Sequence, residues 1–160
     1  MNKKSIFAPA MALCLVLVGS VTFAESANAA PSEVRFGKIP GGSTGPISRI
    51  YGNGSDGRFV ARSNDSYTYF QSDGNFVAHD ANRSPYWASG TRSSGKKLAL
   101  QSDGNIVVYS RSDRPLWSSG TAGHSGEEFK VVMQDDTNFV LYSMTGGQHP
   151  LWSTRGGRVG

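Results

Sequence analysis

One nine-residue pattern occurs three times in this sequence, and it constrains the fold more than any other feature. The copies begin at Gln71, Gln101 and Gln134, at offsets of 30 and 33 residues. Each copy has Gln, Asp, Asn, Val and a ring-bearing residue at alternate positions. A fixed period indicates repetition of one small structural unit, and a propeller blade would need about 40 to 45 residues. The chain is therefore expected to contain three short, equivalent units.

The residues around each copy predict short β-strands. A brief apolar run precedes each copy, an alternating run follows it, and no segment keeps a helical spacing over ten residues. Each copy is then followed by a segment with one tryptophan, namely Trp87, Trp117 or Trp152. These rings are expected to share a core around a pseudo-threefold axis, with four strands in each unit. Ile50-Tyr51, together with residues 58–61, is expected to supply the entry strand of the first unit.

The turn inside the motif determines which side chains share a face. We expect a three-residue hairpin loop at Asp-Gly-Asn, with Asn in the left-handed region. An odd-length loop then places Gln101 opposite Val107, and Tyr109 lies on the same face. Ile106 and Val108 face the core.

Fifteen candidate site residues follow from this arrangement. The first copy contributes Gln71, Asp73, Asn75, Val77 and His79; the second contributes Gln101, Asp103, Asn105, Val107 and Tyr109; the third contributes Gln134, Asp136, Asn138, Val140 and Tyr142.

The repeated Gln-x-Asp-x-Asn-x-Val-x-Tyr, with a Trp after each copy, resembles the bulb-type mannose-binding lectins of monocot plants and their bacterial relatives. The resemblance covers residues 47–155. It implies an all-β fold, the β-prism II, with three four-stranded sheets around a pseudo-threefold axis. It also implies that Gln, Asp, Asn and Tyr bind sugar hydroxyls while Val contacts the ring carbons. His79 stands in the Tyr position, so the first copy departs from the family pattern.

This mixture of side chains suits a sugar. An Asp carboxylate accepts hydrogen bonds, the Gln and Asn amides both donate and accept them, and a phenol can do either. Such a set can form hydrogen bonds with both members of a pair of vicinal sugar hydroxyls. The expected partners are mannose-containing glycans or a cell-surface polysaccharide. An alternative is a bacteriocin-type antibacterial protein that docks on the polysaccharide of rival cells, and a protein-contact module with silent sites is a third class. A homodimer is left open.

Other functional classes have little support. The adjacent carboxylates Glu127-Glu128 and Asp135-Asp136 point apart on a strand, unlike a glycosidase pair, so no enzymatic activity is expected. His124 and His149 lie in Gly-rich connections and are expected to be solvated, and no metal or other cofactor is expected. The net charge of +4 is scattered, which does not favour nucleic-acid binding.

The N-terminal residues resemble an export signal. Residues 1–29 combine a basic start, an apolar run and a small-x-small cleavage motif, which predicts a signal peptide and a secreted protein without membrane insertion. Residues 30–46 are expected to form a flexible lead-in, and residues 156–160 a tail. Cys14 is the only cysteine and lies within the signal, so no disulfide is expected in the mature chain.

Overall fold

The computed structural model describes residues 32–37, 49–52 and 58–159. The predicted signal peptide and most of the predicted lead-in lie outside these residues. The described part of the chain forms thirteen β-strands and no helix. In chain order the strands are β1 Glu33–Gly37, β2 Arg49–Gly52, β3 Arg58–Val60, β4 Tyr67–Phe70, β5 Phe76–His79, β6 Pro85–Ala88, β7 Lys97–Leu100, β8 Ile106–Tyr109, β9 Pro115–Ser118, β10 Glu128–Met133, β11 Phe139–Ser143, β12 His149–Ser153 and β13 Gly157–Arg158.

The strands form three antiparallel sheets, one for each copy of the motif. The first sheet has the order β3-β4-β5-β6, the second β2-β7-β8-β9, and the third β1-β10-β11-β12-β13. The three-sheet, all-β architecture predicted from the repeats is confirmed. Each motif spans the hairpin between the second and third strands of its sheet.

Three details of the predicted topology were wrong. Part of the expected lead-in, Glu33–Gly37, is strand β1 and pairs with β10. Ile50 and Tyr51 belong to β2, which pairs with β7 in the second sheet and not with the first unit. Part of the expected tail, Gly157–Arg158, pairs with β12 and gives the third sheet a fifth strand. In each case a very short strand pairs with a partner strand that the local sequence does not indicate.

The three tryptophans meet as predicted. The ring centroids of Trp87, Trp117 and Trp152 lie 5.2 to 5.5 Å apart in pairs, with interplanar angles of 70 to 72°. Such edge-to-face contacts are favourable for aromatic rings. Trp152 is buried within the core, whereas Trp87 and Trp117 are half-buried and pack against it. Three nearly equal contacts indicate a pseudo-threefold arrangement.

The strand alternation also follows the prediction. Ile106, Val108, Phe139 and Leu141 are fully buried and lie in the central core cluster. Because side chains alternate along a strand, the intervening residues face the other side of each sheet.

The motif turn lies one residue earlier than expected. The backbone N–H of Gly104 donates to the carbonyl of Gln101 at 3.0 Å. The backbone N–H of Gln101 donates to the carbonyl of Asn105 at 2.8 Å. The loop is therefore 102–104, and the left-handed residue is Gly104, with φ of 87°, not Asn105. In the third copy Thr137 takes this conformation, with φ of 66°. Its carbonyl accepts the hydroxyl of Tyr86, which helps to hold a β-branched residue in an unfavourable region.

Glycine in this turn is also required by close packing. A Cβ atom at Gly74 would lie 2.2 Å from the carbonyl oxygen of Gly95, whereas a Cβ at Gly90 would meet nothing within 4 Å. Both glycines have positive φ, 83° and 73° respectively.

The substitution Gly74→Ala should therefore destabilise the fold more than Gly90→Ala. Both variants lose about 1 to 2 kcal/mol through left-handed backbone strain. Only Gly74→Ala adds a backbone collision, which we expect to cost roughly a further 1 to 3 kcal/mol. Urea unfolding of the two variants measures the difference, and equal losses would contradict the packing role of Gly74.

Candidate functional site

Pairing of β7 with β8 determines the second site, which comprises Gln101, Asp103, Asn105, Val107 and Tyr109. Val107 pairs with Ala99 and Tyr109 pairs with Lys97. The expected pairing of Gln101 with Val107 was wrong, because the turn is centred on residue 103 rather than 104. A shift of two residues preserves the face, so Gln101, Val107 and Tyr109 still lie on the outer side.

A hydrogen bond joins the two ends of this site. The Gln101 side-chain amide donates to the Tyr109 hydroxyl at 2.7 Å. In the third site, which comprises Gln134, Asp136, Asn138, Val140 and Tyr142, the equivalent bond measures 2.8 Å. Each phenol accepts this bond, so its own hydrogen remains able to donate to a ligand. The same polar pair is thus formed twice, on two different sheets.

The motif aspartate uses one carboxylate oxygen to hold its own turn. The Oδ1 atoms of Asp73, Asp103 and Asp136 accept the backbone N–H two residues later, at 3.0, 3.1 and 3.0 Å. Among the described residues, the Oδ2 atoms of Asp103 and Asp136 have no hydrogen-bond or ion-pair partner. Oδ2 of Asp73 instead lies 3.2 Å from Nε of Arg92. The second and third sites therefore each have an unpaired charged acceptor, whereas the corresponding oxygen of the first site is paired with Arg92.

The motif asparagine connects the turn to the segment that follows each tryptophan. Asn105 Oδ1 accepts the Ser119 hydroxyl at 3.0 Å and the Thr121 backbone N–H at 3.3 Å. Asn75 accepts equivalent bonds from Ser89 and Thr91. The side-chain NH2 is the group left to contact a ligand. Sequence analysis missed this structural role, although a Ser-Gly-Thr after each of the first two tryptophans was a signal for it.

The motif valine forms the floor of each site. Val77, Val107 and Val140 face outward but are only 4, 2 and 3 % exposed. The apolar surface they offer to a ligand is therefore small, and polar contacts dominate each site.

The first site, which comprises Gln71, Asp73, Asn75, Val77 and His79, has a different arrangement. His79 is only 7 % exposed and stacks on Tyr67, with ring centroids 4.5 Å apart and an interplanar angle of 14°. Its buried Nδ1 atom has no hydrogen-bond partner among the described residues. Burial lowers the pKa of His79, an effect that Arg58 reinforces and Asp80 opposes. The first site thus has a stack of two rings where the other two sites have a Gln–Tyr hydrogen bond.

Sequence analysis missed two lysines beside the tyrosines. Lys97 and Lys130 lie directly opposite Tyr109 and Tyr142 on the neighbouring strand. Their Nζ atoms lie 5.1 and 5.5 Å from the ring centroids, within the range of cation–π contacts. A signal was present, since each lysine precedes the motif glutamine by four residues. Each of these two sites therefore has a cation next to its phenol.

A cleft of about 250 Å³ opens beside the third site. Gln134 and Asp135 line it together with Glu33 of β1 and Arg62. Val132 and Met133 also line it, so the cleft has both polar and apolar walls.

The adjacent carboxylates Glu127 and Glu128 bind different partners. Glu127 accepts the Ser143 hydroxyl at 2.5 Å, and this bond lowers the pKa of Glu127. Glu128 pairs with Arg35 at 2.6 Å. His124, expected to be solvated, contacts Glu127 at 3.1 Å and is thus held in place.

Within residues 32–37, 49–52 and 58–159, no three His, Cys, Asp or Glu side chains are grouped so as to hold a metal ion. In the same ranges, no helix has the length and apolar character needed to cross a membrane.

Solved structures similar to this chain include mannose-binding lectins. A monomeric monocot mannose-binding lectin from Gastrodia elata matches with a TM-score of 0.59 and 29 % identity, over 80 % of this chain and 99 % of that one. The Polygonatum cyrtonema lectin, complexed with monomannoside, matches with a TM-score of 0.51 and 29 % identity, over 64 and 96 % of the two chains. The mannose-specific agglutinin of snowdrop, Galanthus nivalis, complexed with methyl-α-D-mannoside, gives 0.50 and 28 %, over 63 and 94 %.

These similarities confirm the predicted β-prism II fold. No protein-family model and no curated protein matches the chain.

The buried His79 predicts a pH dependence of stability. Its pKa in the fold lies below the ordinary 6.5, so the unfolded chain binds the proton more readily. Stability is therefore complete above pH 6.5 and falls as the pH drops from there toward the lowered pKa, by at most about 1.4 kcal/mol per pH unit. Urea unfolding between pH 7.5 and 5 measures the slope.

The matched control is His79→Tyr, which installs the residue found in the other two copies. His124 and His149 remain in this variant, so only the contribution of His79 is removed. Identical slopes for both proteins would show that His79 does not titrate below its ordinary range.

Proposed function

We propose that this protein is a secreted carbohydrate-binding lectin that recognises mannose, or mannose-like sugars with an axial O2, through its second and third sites. The main support is the Gln–Tyr hydrogen bond, found in both sites beside an aspartate with a free carboxylate oxygen. The similar lectin structures, two of which contain mannosides, support the sugar class. The export-type sequence of residues 1–29 supports secretion.

The available groups match a pair of vicinal sugar hydroxyls. In the second site, Oδ2 of Asp103 accepts from one hydroxyl, while the Asn105 side-chain NH2 donates to it or to its neighbour. The Tyr109 hydroxyl donates, and the Gln101 carbonyl oxygen accepts. Because the Gln–Tyr bond and the Asx turn fix these groups in advance, little side-chain entropy is lost on binding.

Affinity at each site is expected to be low. Hydrogen bonds to a charged group contribute about 1.5 to 3 kcal/mol and neutral ones about 0.5 to 1.5, against competing water. The nearly buried valines add little apolar contact. A single site should therefore bind in the millimolar range, about −4 kcal/mol. Two sites on different sheets gain strength when both engage a glycan-covered surface.

The second and third sites should dominate binding. Their aspartates have free oxygens, whereas Asp73 is paired with Arg92 and His79 is stacked on Tyr67. The double variant Asp103→Asn with Asp136→Asn keeps Oδ1, which caps the turn, but replaces the free acceptor with an NH2 donor. We expect a loss of roughly 1 to 3 kcal/mol at each site. Binding to immobilised mannan should then fall close to background.

The matched control is Asp73→Asn, which makes the same chemical change in the first site. It should leave mannan binding within about twofold of the wild type, because that oxygen already has a partner. Thermal unfolding of all variants checks that the fold persists. If Asp73→Asn reduced binding as strongly as the double variant, the assignment of sites would be wrong.

Binding should also be independent of divalent metal, because the proposed contacts are side-chain hydrogen bonds. Mannan binding measured before and after EDTA treatment should agree within error. A loss after EDTA that calcium restores would contradict these contacts.

A further inference from the structure

Lys130 places a positive charge without a carboxylate partner at the edge of the third site. It lies directly opposite Tyr142, with Nζ 5.5 Å from the ring centroid. Within the described residues, its ammonium group donates a hydrogen bond to a neutral group, Oε1 of Gln148, at 2.8 Å. Among the described residues no Asp or Glu forms an ion pair with it.

The opposite neighbour of Lys130 is also a cation. Arg35 of β1 pairs with Lys130 in the strand register. Like charges directly opposite each other on adjacent strands are destabilising. Glu128 compensates Arg35 through a contact of 2.6 Å, and the Glu128 side chain is only 13 % exposed. The carboxylate nearest to this pair of cations is thus bound to Arg35, and Lys130 has no ion-pair partner among the described residues.

The second site provides an internal comparison. Lys97 has the same position, with Nζ 5.1 Å from the Tyr109 ring. It is bound to Asp113 at 2.6 Å, and its register partner on β2 is the uncharged Gly52. The charge is compensated in the second site and left available in the third.

We propose that the third site prefers a sugar that carries an anionic substituent, which the Lys130 ammonium group binds. This inference rests on the proposed function of the same site. The Gln134 amide reaches the Tyr142 hydroxyl, so a ring held by these groups ends beside the phenol. A carboxylate or phosphate that extends beyond Tyr142 meets Lys130 on the adjacent strand. An ammonium is a compact donor that suits either anion, and charge-assisted hydrogen bonds are the stronger ones.

Isothermal titration with D-mannose, D-mannuronate and D-mannose 6-phosphate tests the inference. For the wild type we expect the anionic sugars to bind roughly five- to tenfold more tightly than mannose at low salt, the effect of one added charge-assisted hydrogen bond. Raising the salt from about 0.05 to 0.5 M should reduce this ratio through screening. The two anions show whether the site selects a carboxylate or a phosphate.

Two variants locate the effect. Lys130→Gln should bring the affinity ratio of anionic sugar to mannose to about 1, whereas the matched control Lys97→Gln should retain the wild-type ratio, because Lys97 is already paired. A wild-type ratio near 1, or the same loss in both variants, would overturn the inference.

The outcomes also separate this inference from the proposed function. Binding of mannose with no preference for the anions overturns the inference alone. Binding of none of the three sugars overturns both. Inorganic phosphate serves as a further probe: if it binds to the wild type as tightly as mannose 6-phosphate, Lys130 belongs to an anion site that does not recognise a sugar.

Discussion

Contact among the three tryptophans allows three very small sheets to form one fold. A sheet of four or five strands with two to six residues each cannot bury its apolar face alone, and isolated β-hairpins are marginal in water. Trp87, Trp117 and Trp152 meet edge to face, and the inward-facing Phe76 and Phe139 pack in T-shaped contact 5.8 Å apart. Each sheet therefore completes the core of the other two. The repeat is stable only as a set of three, so all three outer faces are displayed together.

The motif residues have structural roles in addition to the binding roles proposed for them, and this explains their strict spacing. Asp103 caps its own turn with Oδ1, and Asn105 holds the segment after Trp117 through Ser119 and Thr121. Only the second carboxylate oxygen and the amide NH2 remain for a ligand. Since the same side chains position the loop and present the polar atoms, the site is formed before any ligand arrives. The Asp and Asn contacts occur in all three copies, whereas the Gln–Tyr hydrogen bond is formed only in the second and third.

Much of this fold could be predicted from the sequence, because the repeat supplied three independent copies of each local signal. The alternation of Ile106, Val107 and Val108 predicted the buried and outer faces correctly. The turn was misplaced by one residue, since both Gly104 and Asn105 tolerate positive φ and local pattern does not choose between them. The sheets to which β1 and β2 belong could not be predicted, because a strand of four or five residues can pair with the free edge of any sheet. The stacking of His79 on Tyr67 depends on a cross-strand register that became visible only in the structure.

The three sites differ because the fold constrains only part of each repeat. The turn, the asparagine that holds the segment after the tryptophan, and the tryptophan itself are needed in every copy to complete the shared core. The position four residues before the motif glutamine is not: it is Tyr67 in the first sheet, Lys97 in the second and Lys130 in the third. These three residues set the electrostatic environment beside the ring-bearing end of each motif. At this position the first sheet has Tyr67, whose ring stacks on His79. Lys97 in the second sheet forms an ion pair with Asp113, whereas Lys130 in the third forms a hydrogen bond to a neutral amide. A repeated fold of this kind can thus vary what each outer face binds while the core that supports all three stays the same.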